Sequence, residues 1–276
     1  MHLELGRHRL DLSRPRVMGI LNRTPDSFSD GGAYAGLDAA LQHARGMARD
    51  GADIIDVGGE STRPGAAPVG LQEELDRVIP VIERLTREMD TPLSVDTSKP
   101  EVMGAAVKAG AAMINDVYAL RQPGALEAAA RSQAAVCLMH MQGEPRSMQN
   151  DPHYIDVVRE VADFLQGRAD AAVAAGIPGD KIVLDPGFGF GKTLGHNLEL
   201  LRHLPDLAAS GYPLLVGLSR KSMIGTLMGG VPPEGRLQGS VAAALIAAQR
   251  GARVLRVHDV AATVQALNIA MAVERS

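Results

Sequence analysis

Eight short apolar runs in this sequence each break off at a residue able to bind or react. Asn22 leads into RTPDSFSDGG, Asp56 into GGESTRPGA, and Asp96 precedes TSKP. Asn115 and Asp116 end the fourth run, His140 the fifth, and Asp185, followed by PGFGFGKT, the sixth. Ser219, Arg220, Lys221 and Ser222 follow the seventh, Arg256 and His258 the eighth. A single polar residue at such a point caps a helix or satisfies a loop, whereas a whole series of them calls for a ligand. Carboxylates accept paired N–H donors, so Asp96 and Asp185, with the amide of Asn115, suit the edge of a nitrogen-rich heterocycle. Arg63, Lys221, Arg256 and His258 form a cationic set on other runs, suited to a phosphate or another charged leaving group.

Two tempting motifs read differently. DPGFGFGKT lacks the G-x-x-x-x-G-K-[ST] spacing of a phosphate loop; its glycines instead let the backbone approach a ligand while Phe190 covers the ligand's ring. His140 and His258 are the only histidines at run ends, with no partners at metal-ligand spacing, which argues against zinc. A hard cation sharing Asn22 with phosphate oxygens fits better, since magnesium keeps most of its waters and takes few protein ligands.

The elements that must position these residues follow from periodicity. The apolar runs, predicted as strands, are Val17 to Leu21, Asp53 to Val57, Leu93 to Val95, Met113 to Asn115, Ala135 to Met139, Ile182 to Leu184, Leu214 to Gly217 and Val254 to Val257. Between them lie helical patterns such as Leu37 to Arg49, Leu71 to Met89, Asp156 to Ala175, Gln238 to Arg250 and Val260 to Val273. Gly51, Gly110, Gly176 and Gly251 mark helix stops. Eight βα units in this length favour a closed (β/α)8 TIM barrel, an α/β fold whose chemistry gathers at the C-terminal strand ends. Residues 1–14, with Leu3, Leu5, Leu10 and Leu12 placed about Gly6-Arg7, read as a β-hairpin plugging the barrel's N-terminal end. Residues 16–276 read as the barrel, and the whole chain as one domain.

Composition narrows the partners. Twenty-eight Lys and Arg against 32 Asp and Glu give a net charge of −4, without the basic surplus that nucleic acid requires. No stretch of about 18 apolar residues offers a membrane span. The one cysteine, Cys137, lies in the apolar run AAVCLM and reads as a packing thiol in a reducing, cytoplasmic setting. Three of the four Phe (Phe28, Phe188, Phe190) lie in Gly-rich loops, a placement suited to flat small-molecule ligands.

The motifs MGILNRTPDSFSDGG (18–32), GADIIDVGGESTRPGA (51–66), SVDTSKP (94–100), INDV (114–117), DPGFGFGKT (185–193), GLSRKSMIG (217–225) and RVHDV (256–260) together resemble the dihydropteroate synthases of the folate pathway. The resemblance spans the chain from first strand to eighth. It implies the barrel just derived and a transferase that joins 6-hydroxymethyl-7,8-dihydropterin diphosphate to p-aminobenzoate with release of diphosphate. By resemblance, Asp96, Asn115, Asp185, Lys221, Arg256 and Met139 bind the pterin. Asn22, Thr62, Arg63, Phe190, Ser222 and His258 bind aminobenzoate and diphosphate, with Asn22 also facing Mg²⁺. Arg63, Lys221, Arg256 and His258 are the residues expected to assist the chemistry, and the loop after Asp56 is expected to form a lid. The family further implies a homodimer. A pterin-dependent methyltransferase would share the ring-reading residues but leave Arg63, SRKS and RVHDV unexplained, whereas a non-catalytic pterin-binding relative would keep the ring-reading residues and lose the closing loops, both of which are complete in this sequence. Arg23 is read as a solvent-facing loop charge ahead of the alternative, an added diphosphate contact; Tyr118-Ala119-Leu120 is read as a departure on the rim, and Asp56 as support for the site.

Overall fold

The computed structural model describes residues 1–23, 32–61, 67–145 and 147–275. The hairpin comes first, β1 (His2–Leu5) pairing antiparallel with β2 (His8–Asp11) across a two-residue turn that opens on Gly6 at φ 60°. There follow β3 (Arg16–Asn22), α1 (Gly32–Arg49), β4 (Ile54–Gly58), α2 (Leu71–Glu88), β5 (Leu93–Asp96), α3 (Pro100–Ala109) and β6 (Met113–Asp116). After these come α4 (Ala125–Ser132), β7 (Ala135–Met139), α5 (Val157–Ala174), β8 (Ile182–Asp185), α6 (Leu194–Arg202) and α7 (Leu204–Ala208). The chain closes with β9 (Leu214–Val216), α8 (Ser222–Leu227), α9 (Leu237–Gln249), β10 (Ala252–Val257) and α10 (Val260–Arg275).

Strands β3 to β10 run parallel and close into one barrel, with β10 pairing both β9 and β3. All eight expected strands are present. Their limits shift by a residue or two: β10 begins at Ala252, β9 stops at Val216, and β8 extends to Asp185. Asp53 falls just outside β4 because its carboxylate is occupied with Val17 N–H and Arg16 Nη1, both at 2.9 Å. The helix stops fall where expected; Gly110 ends α3 at φ 119°, hard against the Thr86 side chain, where a Cβ would overlap it.

Side chains alternate along each strand, and the alternation splits the core in two. One set, including Ile55, Val57, Val95, Ile114, Val136 and Leu255, packs outward against the helices. The other, including Met18, Ile54, Met113, Cys137, Val183 and Val254, meets Leu3, Leu5 and Leu12 of the hairpin inside the barrel. The hairpin therefore plugs the N-terminal end, as the leucine spacing implies. Cys137 is fully buried in this inner cluster, and burial first, then Asp185, push its thiol well above the ordinary range.

Candidate active site

Two residues further along four of the inward-facing rows, the side chains turn polar. Ile54 gives way to Asp56, Met113 to Asn115, Val183 to Asp185 and Val254 to Arg256. The same parity that fills the bottom of the barrel with aliphatics thus collects carboxylates, an amide and a guanidinium at its C-terminal mouth.

Arg256 lies at the centre of this group. Its Nε donates to Asp56 Oδ2 at 2.6 Å and its Nη2 to Asp96 Oδ2 at 2.7 Å. Asp56 Oδ2 also accepts from Asn115 Nδ2 at 3.0 Å, so one fully buried carboxylate orients both the guanidinium and the amide. Held at two nitrogens, the planar guanidinium has a fixed face to present to a ring. Burial raises Asp96 to about 7, Asp56 and Asp116 add to that, and Arg256 opposes it. Arg256 itself is pushed up despite its burial, by Asp56 and Asp96. Asp56, expected as support for the site, orients Arg256 and Asn115. One sequence expectation changes here: the rim is not divided into an acidic and a cationic side. Barrel closure brings β10 close to β4 and β5, interleaving the two sets.

Lys221 forms the adjoining wall. Its Nζ donates to the Phe188 carbonyl and lies 4.5 Å from the centroid of the Phe190 ring. Arg220, one residue earlier, adopts φ 58°, a conformation disfavoured for a side chain this large. It is held there by Asp259, which accepts from Nε at 3.0 Å and Nη2 at 2.6 Å, by Ser240 Oγ on its N–H, and by Arg236 on its carbonyl. Arg220 is thus a structural support of the turn that carries Lys221. Burial, then Arg256, lower Lys221 to about 8 against the pull of Asp185. Asp185 is raised by burial, with Lys221 opposing. Its Oδ1 accepts from Gly187 N–H at 2.7 Å, which among the described residues leaves Oδ2 for a ligand. Met139, Met141, Met148 and Val117 pack with Tyr118 and Phe190 into an apolar patch beside this wall.

The remaining expected residues are placed as follows. Asn22 ends β3 in register with Gly58 and, beyond it, Asp96, which brings a half-buried amide to the carboxylate side of the mouth. His258 Nδ1 lies 3.0 Å from Ser219 Oγ, and its own N–H donates to the same oxygen at 3.2 Å. Ser222 is exposed at the first turn of α8. Thr62 and Arg63, with the expected lid, lie outside the described residues. Arg23 does not face solvent; it is half-buried, and burial, then Arg77, lower its pKa. Asp116 holds the rim departure, accepting from Ser98 Oγ, Tyr118 N–H and Leu120 N–H while Ala119 and Leu120 take φ of 53° and 58°.

Sequence reasoning missed the side chains that build the DPGFGFGKT loop. Lys192 is buried beneath it, 2.8 Å from His140 Nδ1, and donates to the carbonyls of Gly187 and Phe190, each at 3.0 Å. His140 is consequently a supporting residue, lowered to about 2 by burial and then by Lys192. The only signal available was a lysine directly after a glycine-rich run.

A closed eight-stranded barrel with a clamped guanidinium, carboxylates and a lysine at its C-terminal mouth is the architecture of the (β/α)8 barrel enzymes, whose sites lie at that end. Residues 18–258 match the family described as pterin binding enzyme. The dihydropteroate synthase of Escherichia coli (strain K12) is 56% identical over 260 residues, covering 94% of this chain and 92% of that enzyme. A Xanthomonas albilineans dihydropteroate synthase solved with 4-aminobenzoic acid is 58% identical, with a TM-score of 0.95, over 100% of this chain and 98% of its own. A Yersinia pestis dihydropteroate synthase solved as a sulfonamide drug complex is 57% identical, with a TM-score of 0.95, over 100% of both chains. The chain belongs to the pterin-binding enzyme family and, within it, to the dihydropteroate synthases.

Proposed function

We propose that the chain condenses 6-hydroxymethyl-7,8-dihydropterin diphosphate with p-aminobenzoate to give 7,8-dihydropteroate and diphosphate. The observation that carries this reading is the pairing of Arg256 with both Asp56 and Asp96, which holds a cationic plane at the barrel mouth next to Asp185, Asn115 and Lys221. In this reading Asp96, Asn115 and Asp185 meet the N–H edge of the pterin, Lys221 donates to its carbonyl, and Arg256 stacks on the ring beside Met139. Asn22, His258 and Arg256 take the diphosphate, and Phe190 and Ser222 line the aminobenzoate site. Thr62 and Arg63 join them on the strength of the resemblance.

The bond from the pterin methylene to the bridging oxygen breaks, and its electron pair leaves with diphosphate. The resulting methylene cation is stabilised by the electron-rich ring. The lone pair of the aryl amine then forms the C–N bond, and the proton the amine gives up passes to the released diphosphate. Cations on the leaving group lower the barrier to the first step, and walls that exclude water protect the cation.

Asn22 offers a single neutral oxygen, and no group of three or more His, Cys, Asp or Glu that could hold a metal occurs among the described residues. That donor set fits a magnesium ion that arrives with diphosphate and takes few protein ligands, Asn22 among them. Bound there, it would neutralise charge on the leaving group.

In the same reading the whole chain, 1–276, works as one domain, in the cytoplasm, as a homodimer, and its aminobenzoate site also accepts sulfonamides. No helix among the described residues is long and apolar enough to cross a membrane. The test follows diphosphate release with pterin diphosphate and Mg²⁺, with and without p-aminobenzoate. Amine-dependent release is expected; release no faster than an enzyme-free control would overturn the reading.

A further inference from the structure

The stretch from Gly187 to Lys192 has no strand or helix to pair its backbone, so its carbonyls must find other donors. Each of them does, and side chains supply the donors. Lys192 Nζ takes the carbonyls of Gly187 and Phe190, both at 3.0 Å. Lys221 Nζ takes that of Phe188, Gln149 that of Gly189, and Tyr154 Oη that of Gly191 at 2.8 Å. Asn197 takes that of Lys192 at 3.3 Å and, through Oδ1, accepts from Gly189 N–H at 2.7 Å. Gly187, Gly189 and Gly191, at φ of 67°, 78° and 62°, turn successive carbonyls in different directions. A Cβ at Gly187 would overlap the His140 carbonyl oxygen, and one at Gly191 that of Gln142, so the loop lies directly on the end of β7.

The two lysines therefore grip one loop through different carbonyls. Lys221 reaches it from the pterin site and Lys192 from beneath, where only 3% of Lys192 is exposed. The carbonyl that fixes Lys221 belongs to Phe188, which lies between Gly187 and Phe190, the two residues whose carbonyls Lys192 holds. The ring that stacks near Lys221 belongs to Phe190, whose own carbonyl is one of those two. Even as a neutral amine Lys192 carries two N–H groups, enough for both.

We propose that Lys192 is a positioning residue for the pterin site, setting the loop so that Phe188 presents its carbonyl, and Phe190 its ring, to Lys221. Lys192 touches no substrate itself. The inference rests on the synthase reading above, and the two can fail separately. Wild-type enzyme with no amine-dependent diphosphate release would sink the reading, whereas a normal wild type with an unaffected variant would sink the inference alone.

K192M keeps the aliphatic stem and removes the donors. Its KM for pterin diphosphate should rise about tenfold or more, since the lost donor leaves the Phe190 carbonyl unmet and the Gly187 carbonyl with the Phe190 N–H alone, at 3.1 Å. A variant that merely lost folded protein would lower the apparent kcat and leave KM where it was. A wild-type KM in folded K192M would therefore overturn the proposal. Should K192M fail to fold, K192Q, which keeps two N–H donors on a shorter stem, carries the test with a smaller rise expected, and an unchanged KM again overturns it. In the wild-type enzyme, the ¹⁵N resonance of Lys192 Nζ should shift when pterin diphosphate binds, although the two do not touch; a resonance indifferent to the ligand would likewise count against it.

Discussion

Lys221 is asked to stay protonated for its ligand while packed where protonation is unfavourable. Burial and Arg256 bring it to about 8, from an ordinary 10.5, even with Asp185 nearby. Its loss of a proton therefore falls within an accessible range. Since kcat/KM reports the free enzyme, that parameter for pterin diphosphate should fall as pH rises through about 8, where Lys221 stops donating with a full charge. Stability should move the other way. The folded value lies below the unfolded one, so between about 8 and 10.5 the unfolded chain binds more proton, and Lys221's contribution to stability improves as pH rises. Turnover and chemical denaturation measured across this window separate the two trends. A kcat/KM that stays flat through it would mean that Lys221 is not the donor to the pterin.

At the scale of elements, the hairpin and the site occupy opposite ends of one barrel interior, and the same alternation serves both. Leu5 is fully buried in the inner cluster, and β1 touches β7 and the turn at residues 179–181 that leads into β8. Leu5→Ala should cost roughly 2–5 kcal/mol of stability by leaving a cavity, with the pterin KM unchanged because the polar layer begins further up the strands. An unchanged denaturation midpoint would show that the hairpin does not seal the barrel. That division also explains what could be read in advance. Period-two alternation carries Ile54 to Asp56 and Val254 to Arg256, so the strands and the polar residues at their ends were legible from local order alone. The contact between Arg256 and two carboxylates was not, because it depends on which strands closure brings together across the barrel. The loop after β8 was legible as a ligand-facing loop but not as a built one. Its supports, Gln149, Tyr154, Asn197 and Lys221, come from four other places in the chain. Side chains that act on distant backbone leave no periodic trace.

At the scale of the molecule, the groups placed in the described site gather at the barrel mouth, and association between copies is argued from the outer helical surface. Helices α9 and α10 pack on each other at the seam where β10 closes the barrel. They leave Ile246, Ile269 and Val273 exposed, the last two at 70% and 69% of full accessibility. Large aliphatics on two adjacent helices form the kind of surface that a twofold dimer buries, each copy covering the other's patch. The proposed homodimer is accordingly expected to use this face. In sedimentation equilibrium the protein should behave as a dimer of its 29.1 kDa chain. Ile269→Glu places a charge at the centre of the interface, where it would lose its water without gaining a partner, and should yield the monomer. Turnover per chain at high dilution should persist in that monomer, because the groups assigned to the described site lie at the strand ends and in the loops that follow them, not on the outer faces of α9 and α10. A wild-type protein that sediments as a monomer would remove the dimer. An Ile269→Glu variant that remains dimeric would place the interface elsewhere, and a monomeric variant without turnover would mean that the outer helices support the mouth as well as each other.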